Sequence, residues 1–170
     1  GQNFYVYDGK LNVFPHFSNT IFSITPDSTT QRYHFYFGDY HFPDDEIFQK
    51  KEYNSQAIMS EIMNNSYVRL MAPYETDEHL LVKYYVKRQV LLGIYNKKKH
   101  TAINLDPEMV IDSLHLGTFP VPIGFNHNEF IGQLTLDIQQ KNRIMIPELQ
   151  KLMADYSEDS NPILIFYSLR

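Results

Sequence analysis

The sequence predicts a mainly β fold of short antiparallel strands with two short helical insertions. Three observations carry this reading. Short apolar runs alternate with polar positions and are separated by turn residues, which is the pattern of half-buried strands. Aromatic residues make up 15% of the 170-residue chain, from 13 Tyr and 12 Phe with no Trp, and such rings suit pleated surfaces. Only residues 43–65 and 145–156 change to helical spacing.

Taken in order, Phe4–Tyr7 and Leu11–Phe14 flank Asp8-Gly9, and an Asp-Gly pair between apolar runs signals a tight hairpin because both turn positions need positive φ. Thr20–Ile24 and Arg32–Phe37 follow as strands around the turn residues Pro26-Asp27-Ser28. Pro43-Asp44-Asp45-Glu46 then reads as a loop and an acidic helix start, and Ile58, Met59, Ile62 and Met63 fall at helical spacing. Tyr67–Tyr74, Leu80–Val86, Val90–Tyr95 and Thr101–Leu105 form a four-strand meander on short polar turns. That is the size and rhythm of one propeller blade, so the fold class is antiparallel and propeller-like, with about three blades.

After an irregular stretch over 106–119, Val121–Phe125 and Glu129–Leu136 make another hairpin, turned by Asn126-His127-Asn128. Pro147 suits the first position of a helix, and Ile146, Leu149, Leu152, Met153 and Tyr156 trace one apolar stripe. The near-continuous run Ile163–Tyr167 predicts a final strand buried on both faces.

Composition removes several functions. Lys plus Arg is 15 against 20 Asp plus Glu, a net charge of -5. That opposes nucleic-acid binding, which needs a basic face to neutralise phosphates. With no cysteine, disulfides, thiolate metal sites and Cys nucleophiles are excluded. No apolar run approaches the roughly 20 residues of a transmembrane helix. The chain opens on Gly1 rather than Met, which predicts a processed or engineered start.

Short motifs in a shared order carry a resemblance. Asn19-Thr20-Ile21-Phe22-Ser23-Ile24, then Tyr33–Gly38, then Phe42-Pro43, resembles the progression in six-bladed β-propeller proteins of Bacteroidetes. Glu75-Thr76-Asp77 opening a strand, and the ending Glu158–Tyr167, are similar to later landmarks of that family. The resemblance spans most of residues 19–170 and implies an extracytoplasmic protein, since members are typically secreted lipoproteins. It supplies no catalytic residues. A six-bladed ring needs about 250 residues or more, so residues 1–170 are expected to form one propeller-like domain, the C-terminal part of a longer propeller. The exposed strand edges of such a part would be covered by helices, by a second copy in a homodimer, or by the remaining half.

Candidate chemistry is sparse. The histidines, His16, His34, His41, His79, His100, His115 and His127, match no metal-ligand spacing, so no metal or other cofactor is expected. Asp44, Asp45 and Glu46 lack the calcium-loop spacing. Glu75, Asp77, Glu78 and the cluster Lys97-Lys98-Lys99-His100 read as solvated hairpin tips. No nucleophile elbow or nucleotide loop is present. Tyr33, Tyr36, Tyr40, Tyr84, Tyr85 and Tyr95 are the candidate ligand-binding residues, as a stacking platform for sugar or peptide. The expected function is a binding or scaffold module for a polysaccharide, peptide or partner protein. A carbohydrate-active hydrolase or lyase and a purely structural assembly module are the alternatives.

Overall fold

The structure is a computed structural model that describes residues 3–15, 18–43, 54–87, 89–107, 119–134, 147–154 and 161–169. The fold is mainly β, with three antiparallel sheets and two helices among the described residues. The sheets agree with the expected blade-like meander.

The first sheet holds β1 (Phe4–Tyr7), β2 (Lys10–Val13), β3 (Thr20–Ile24) and β4 (Thr29–His34) in sequence order. Asp8 and Gly9 take positive φ, +50° and +67°, as the tight β1–β2 turn requires. The register aligns Phe4, Val13 and Phe22 in one row and Val6, Leu11 and Ile24 in the next. The opposite face carries Tyr5, Asn12 and Ser23, all buried. There Ser23 Oγ donates to Asn12 Oδ1 at 2.9 Å and Asn12 Nδ2 donates to the Lys10 carbonyl at 3.2 Å, so a buried amide keeps partners for both ends.

The fourth strand departs from the sequence reading. It begins at Thr29, directly after the turn, and ends at His34 rather than Phe37. The register slips between Ile21 and Phe22, leaving Arg32 as the extra residue, which is the geometry of a bulge. The Arg32 guanidinium lies over the rings of Tyr7 and Tyr33 at 5.2 and 5.3 Å. Beyond it, Phe35-Tyr36-Phe37 leads into a single 3-10 turn, Gly38–Tyr40.

Helix α1 (Ser55–Asn65) starts where Asn54 Oδ1 accepts from the Ala57 amide at 2.8 Å and stops at Ser66 in the left-handed region. The second sheet follows as β5 (Arg69–Glu75), β6 (His79–Val86), β7 (Gln89–Asn96) and β8 (Thr101–Leu105). Strand β6 is buried along nearly its whole length, with Leu80, Leu81 and Val82 inaccessible on both faces.

The third sheet has the order β11–β10–β9, from β9 (Pro122–Phe125), β10 (Phe130–Leu134) and β11 (Ile163–Tyr167). Helix α2 (Pro147–Ala154) precedes β11 and opens on Pro147 as expected. Gly132 is required by close approach: a Cβ there would sit 2.9 Å from Pro120 Cβ and 3.2 Å from Tyr167. The reading of β11 as buried on both faces is corrected. Its burial alternates: Leu164 and Phe166 stay 52% and 56% exposed, while Tyr167 on the opposite face meets Phe130 and Pro120. The acidic run 44–46 and most of the 106–119 stretch lie outside the described residues.

By compactness the chain divides into two units, Gly1–Pro73 with Leu81–Gly93, and Tyr74–Leu80 with Ile94–Arg170. The first is centred on Tyr5, Phe14, Ile21, Phe42, Val68 and Tyr84, and the Val68 amide donates to the Tyr40 carbonyl at 2.8 Å. In the second, the Tyr167 hydroxyl donates to the Pro120 carbonyl at 2.6 Å, and its ring meets Phe119 and Phe130. Burial pushes the Tyr167 phenol far above its ordinary pKa.

Candidate functional site

Three hairpin turns of the second unit converge on one place. They are the β5–β6 tip at Thr76–Glu78, the β7–β8 tip at Lys97–His100, and the β9–β10 tip at Asn126–Asn128. Each is closed by its own side chain. Thr76 Oγ1 accepts from the His79 amide at 3.1 Å. Asn96 Oδ1 accepts from the Lys99 amide at 2.8 Å. Asn126 Oδ1 accepts from the amides of Asn128 and Glu129 at 3.0 and 2.9 Å. Thr and Asn are suited to this because their short polar arms reach nearby backbone donors.

The tips are then tied together. The Asp77 amide donates to the His127 carbonyl and the Lys97 amide to the Glu78 carbonyl, both at 2.8 Å. Beneath them Glu75 is fully buried, with Lys97 Nζ 2.7 Å from its Oε1 and donating also to the Thr76 carbonyl at 2.6 Å. This corrects the reading of Glu75 and Lys97 as solvated tip residues. Alternation along β5 turns the Glu75 side chain inward, and Lys97 follows it. Asp77, Glu78, Lys98 and Lys99 do remain exposed.

The tips border a cleft of about 600 Å³, lined by Thr76, Asp77, Glu78, His79, Lys98, His127, Asn128, Phe130, Ser168 and Leu169. Its polar groups differ in character. Glu78 pairs with Lys98, and that hydrogen bond and charge hold its carboxyl below the ordinary range. A carboxylate held ionised accepts hydrogen bonds and is a poor proton donor to a leaving group. Burial pushes the His79 imidazole below its ordinary pKa, against the opposing pull of Glu78. Asn96 Nδ2 lies 2.9 Å from His79 Nε2, so the neutral ring accepts there and carries its proton on Nδ1. His127 Nδ1 stands 3.8 Å from Asp77 Oδ1 at the rim. The cleft thus mixes donors and acceptors, which suits a ligand rich in hydroxyl and amide groups. Among the described residues, no three His, Asp or Glu side chains gather as metal ligands.

The six candidate tyrosines fall in several places. Tyr36 is 82% exposed, with its ring 5.6 Å from His41, which in turn meets His34 at 5.5 Å. Tyr40 lies under Lys87, whose ammonium stands 4.3 Å from the ring centre and donates to the phenol oxygen. Tyr33 packs beside Arg32, and Arg69 covers Tyr85 at 5.5 Å. Tyr84 is buried against Phe37 at 5.1 Å. Tyr95 belongs to the second unit, with its hydroxyl 3.0 Å from His100 Nδ1. Tyr36 therefore has a neighbouring aromatic ledge in His34 and His41. Sequence reading missed the cleft because its three tips are far apart in the chain. The signal it offered was a Thr or Asn at the start of each turn.

Among the described residues, no helix is long and apolar enough to cross a membrane. No curated protein sequence matches the chain. A solved structure of a "Putative exported protein" from Bacteroides fragilis is similar to it, with a TM-score of 0.79 and 18% identity. The match covers 99% of this chain and 50% of that one, so the chain spans about half the length of the structure it matches. At that identity the likeness is one of fold. Residues 1–168 match the family model described as a domain of unknown function, DUF4934.

Proposed function

The chain belongs to the DUF4934 family of domains of unknown function, and from that premise we propose that it is an extracytoplasmic binding module whose site is the cleft at the three hairpin tips. The observation that carries this is the convergence of the tips by backbone hydrogen bonds around a cleft with exposed Asp77, Glu78, Lys98 and Asn128 at its rim. Loops held rigid by a β scaffold are where binding groups concentrate. The mixture of carboxylate, amide, ammonium and imidazole groups favours a polysaccharide over an apolar peptide.

The name of the Bacteroides fragilis neighbour supports the compartment. The resemblance of residues 19–170 to six-bladed propellers supports the same compartment and a single propeller-like domain. Calorimetric titration of the 170-residue chain with soluble oligosaccharides tests the proposal: saturable binding supports it, and an inert panel counts against it.

A second reading places a ligand on the ledge formed by Tyr36, His34 and His41. The observation in its favour is the exposure of Tyr36 beside two imidazoles, an arrangement suited to stacking. Tyr36→Ala separates the two readings, since it removes the ledge and leaves the cleft intact.

A further inference from the structure

The β7–β8 turn fixes the position of one hydrogen atom in the cleft, and it does so through residues in series. Asn96 Oδ1 accepts from the Lys99 amide at 2.8 Å. A backbone amide only donates, so the oxygen end of the Asn96 carboxamide is set and Nδ2 is its donor end. That end lies 2.9 Å from His79 Nε2, which is therefore the accepting nitrogen of a neutral imidazole. The ring hydrogen is left on Nδ1. Charging the ring would put a second hydrogen on Nε2, against Asn96 Nδ2. Lys97, Lys98 and Lys99 also oppose that charge, and Glu78 favours it.

His79 is 5% exposed and borders the cleft. Among the described residues no group accepts from its Nδ1, and that nitrogen is not sealed from the open space beside it. Buried polar groups find partners, and this hydrogen has none in the protein, so it is available to whatever fills the cleft. Unlike a hydroxyl, it cannot exchange the roles of donor and acceptor.

The rest of the lining supplies the complementary groups. Asp77 and Glu78 bring two carboxylates against the one ammonium of Lys98, so a sugar that carries a carboxylate meets repulsion there. Ionised carboxylates only accept hydrogen bonds. Phe130 and Leu169 add an apolar wall. A ligand group that answers all three has a fixed acceptor, a fixed donor and a small apolar end. An acetamide has them in its carbonyl oxygen, its N–H and its methyl group. A hydroxyl lacks the apolar end, and an ammonium lacks the acceptor.

Resting on the reading of the cleft as a glycan site, we propose that it selects 2-acetamido sugars, with the His79 Nδ1 hydrogen donated to the acetamide carbonyl. The acetamide N–H is then left to the rim carboxylates and the methyl group to Phe130 and Leu169. Asn96 is a positioning residue that holds His79 in the required tautomer.

Calorimetric titration with oligosaccharides that share one β-1,4-glucan skeleton tests this. The series carries acetamido, hydroxyl or ammonium groups at C2. The acetamido oligomer is expected to bind at least about tenfold more tightly than either of the others, the effect of one well-made hydrogen bond. His79→Gln keeps an oxygen for Asn96 Nδ2 and removes the donor at Nδ1. In a variant that circular dichroism shows to be folded, it is expected to weaken acetamido binding about tenfold and leave hydroxyl binding unchanged. Nitrogen-15 NMR of the unmodified chain at neutral pH gives an independent reading, with hydrogen expected on His79 Nδ1 and none on Nε2. Hydrogen on Nε2 overturns the proposal whatever the sugars do. So does an acetamido preference that His79→Gln leaves intact. Equal binding of the acetamido and hydroxyl oligomers overturns the selection and leaves the cleft a glycan site. No binding by any of the series overturns the selection, and an inert wider panel then overturns the glycan reading as well.

Discussion

Lys97 Nζ stands 2.7 Å from Glu75 Oε1, and Glu75 is wholly buried. The two residues come from different hairpins, and Lys97 also reaches the Thr76 carbonyl. The pair therefore fixes the β7–β8 tip against the β5–β6 tip, which the cleft requires. Removing one partner of a buried ion pair takes the nearest counter-charge from the other, which stays buried. Lys97→Met is expected to lower stability by about 3 kcal/mol, read as a lower urea midpoint at unchanged slope. The double variant with Glu75→Gln is expected to recover part of the loss.

His79 makes stability depend on pH. Burial lowers the folded-state pKa of its imidazole from about 6.5. The unfolded chain then takes up its proton at a higher pH than the folded chain does, so stability rises with pH through that window. The contribution is fully present above the unfolded value and is lost as pH falls below about 6.5. Melting temperatures measured across this range are expected to fall on acidification, and less steeply in His79→Gln.

Gly132 has no room for a methyl group. A Cβ would lie 2.9 Å from Pro120 Cβ and 3.2 Å from the Pro120 carbonyl oxygen, which is backbone. Gly132→Ala is expected to cost about 1–3 kcal/mol through overpacking. A thermal melt checks this, and Gly124→Ala, whose nearest neighbour is the Ile131 side chain at 3.7 Å, is the control with a smaller effect.

Ser23 completes the buried partners of Asn12 in the first sheet. Ser23→Ala deprives Asn12 Oδ1 of its donor and is expected to cost about 1–3 kcal/mol. Chemical denaturation reads it.

Much of the fold was legible because its signals are local. Asp8-Gly9 announced a tight hairpin, and the polar breaks at Glu75–Glu78 and Asn96–His100 marked the tips of the meander. Errors arose where the outcome depends on distant residues. Ile163–Tyr167 reads as a doubly buried strand, yet its Leu164 and Phe166 face is exposed, and periodicity does not report what covers a face. Arg32–Phe37 is apolar enough for a strand, but the bulge at Arg32 and the following 3-10 turn end pairing at His34. Glu75 and Lys97 looked like surface charges because their pairing joins two hairpins. The candidate tyrosines shared an aromatic character, and sequence alone does not separate Tyr84, packed on Phe37, from the exposed Tyr36.

The most direct test of the binding cleft is calorimetric titration of the chain with a panel of soluble glycans, repeated on the variant Glu78→Ala with Asn128→Ala. These residues line the cleft at its exposed rim, so the fold is expected to survive the change. One glycan class is predicted to bind saturably to the unmodified chain, raising its stability by about 2.7 kcal/mol at a hundredfold excess over Kd, and to bind the variant at least about tenfold more weakly. Binding that the variant leaves unchanged, or no binding across the panel by a folded chain, would contradict the account.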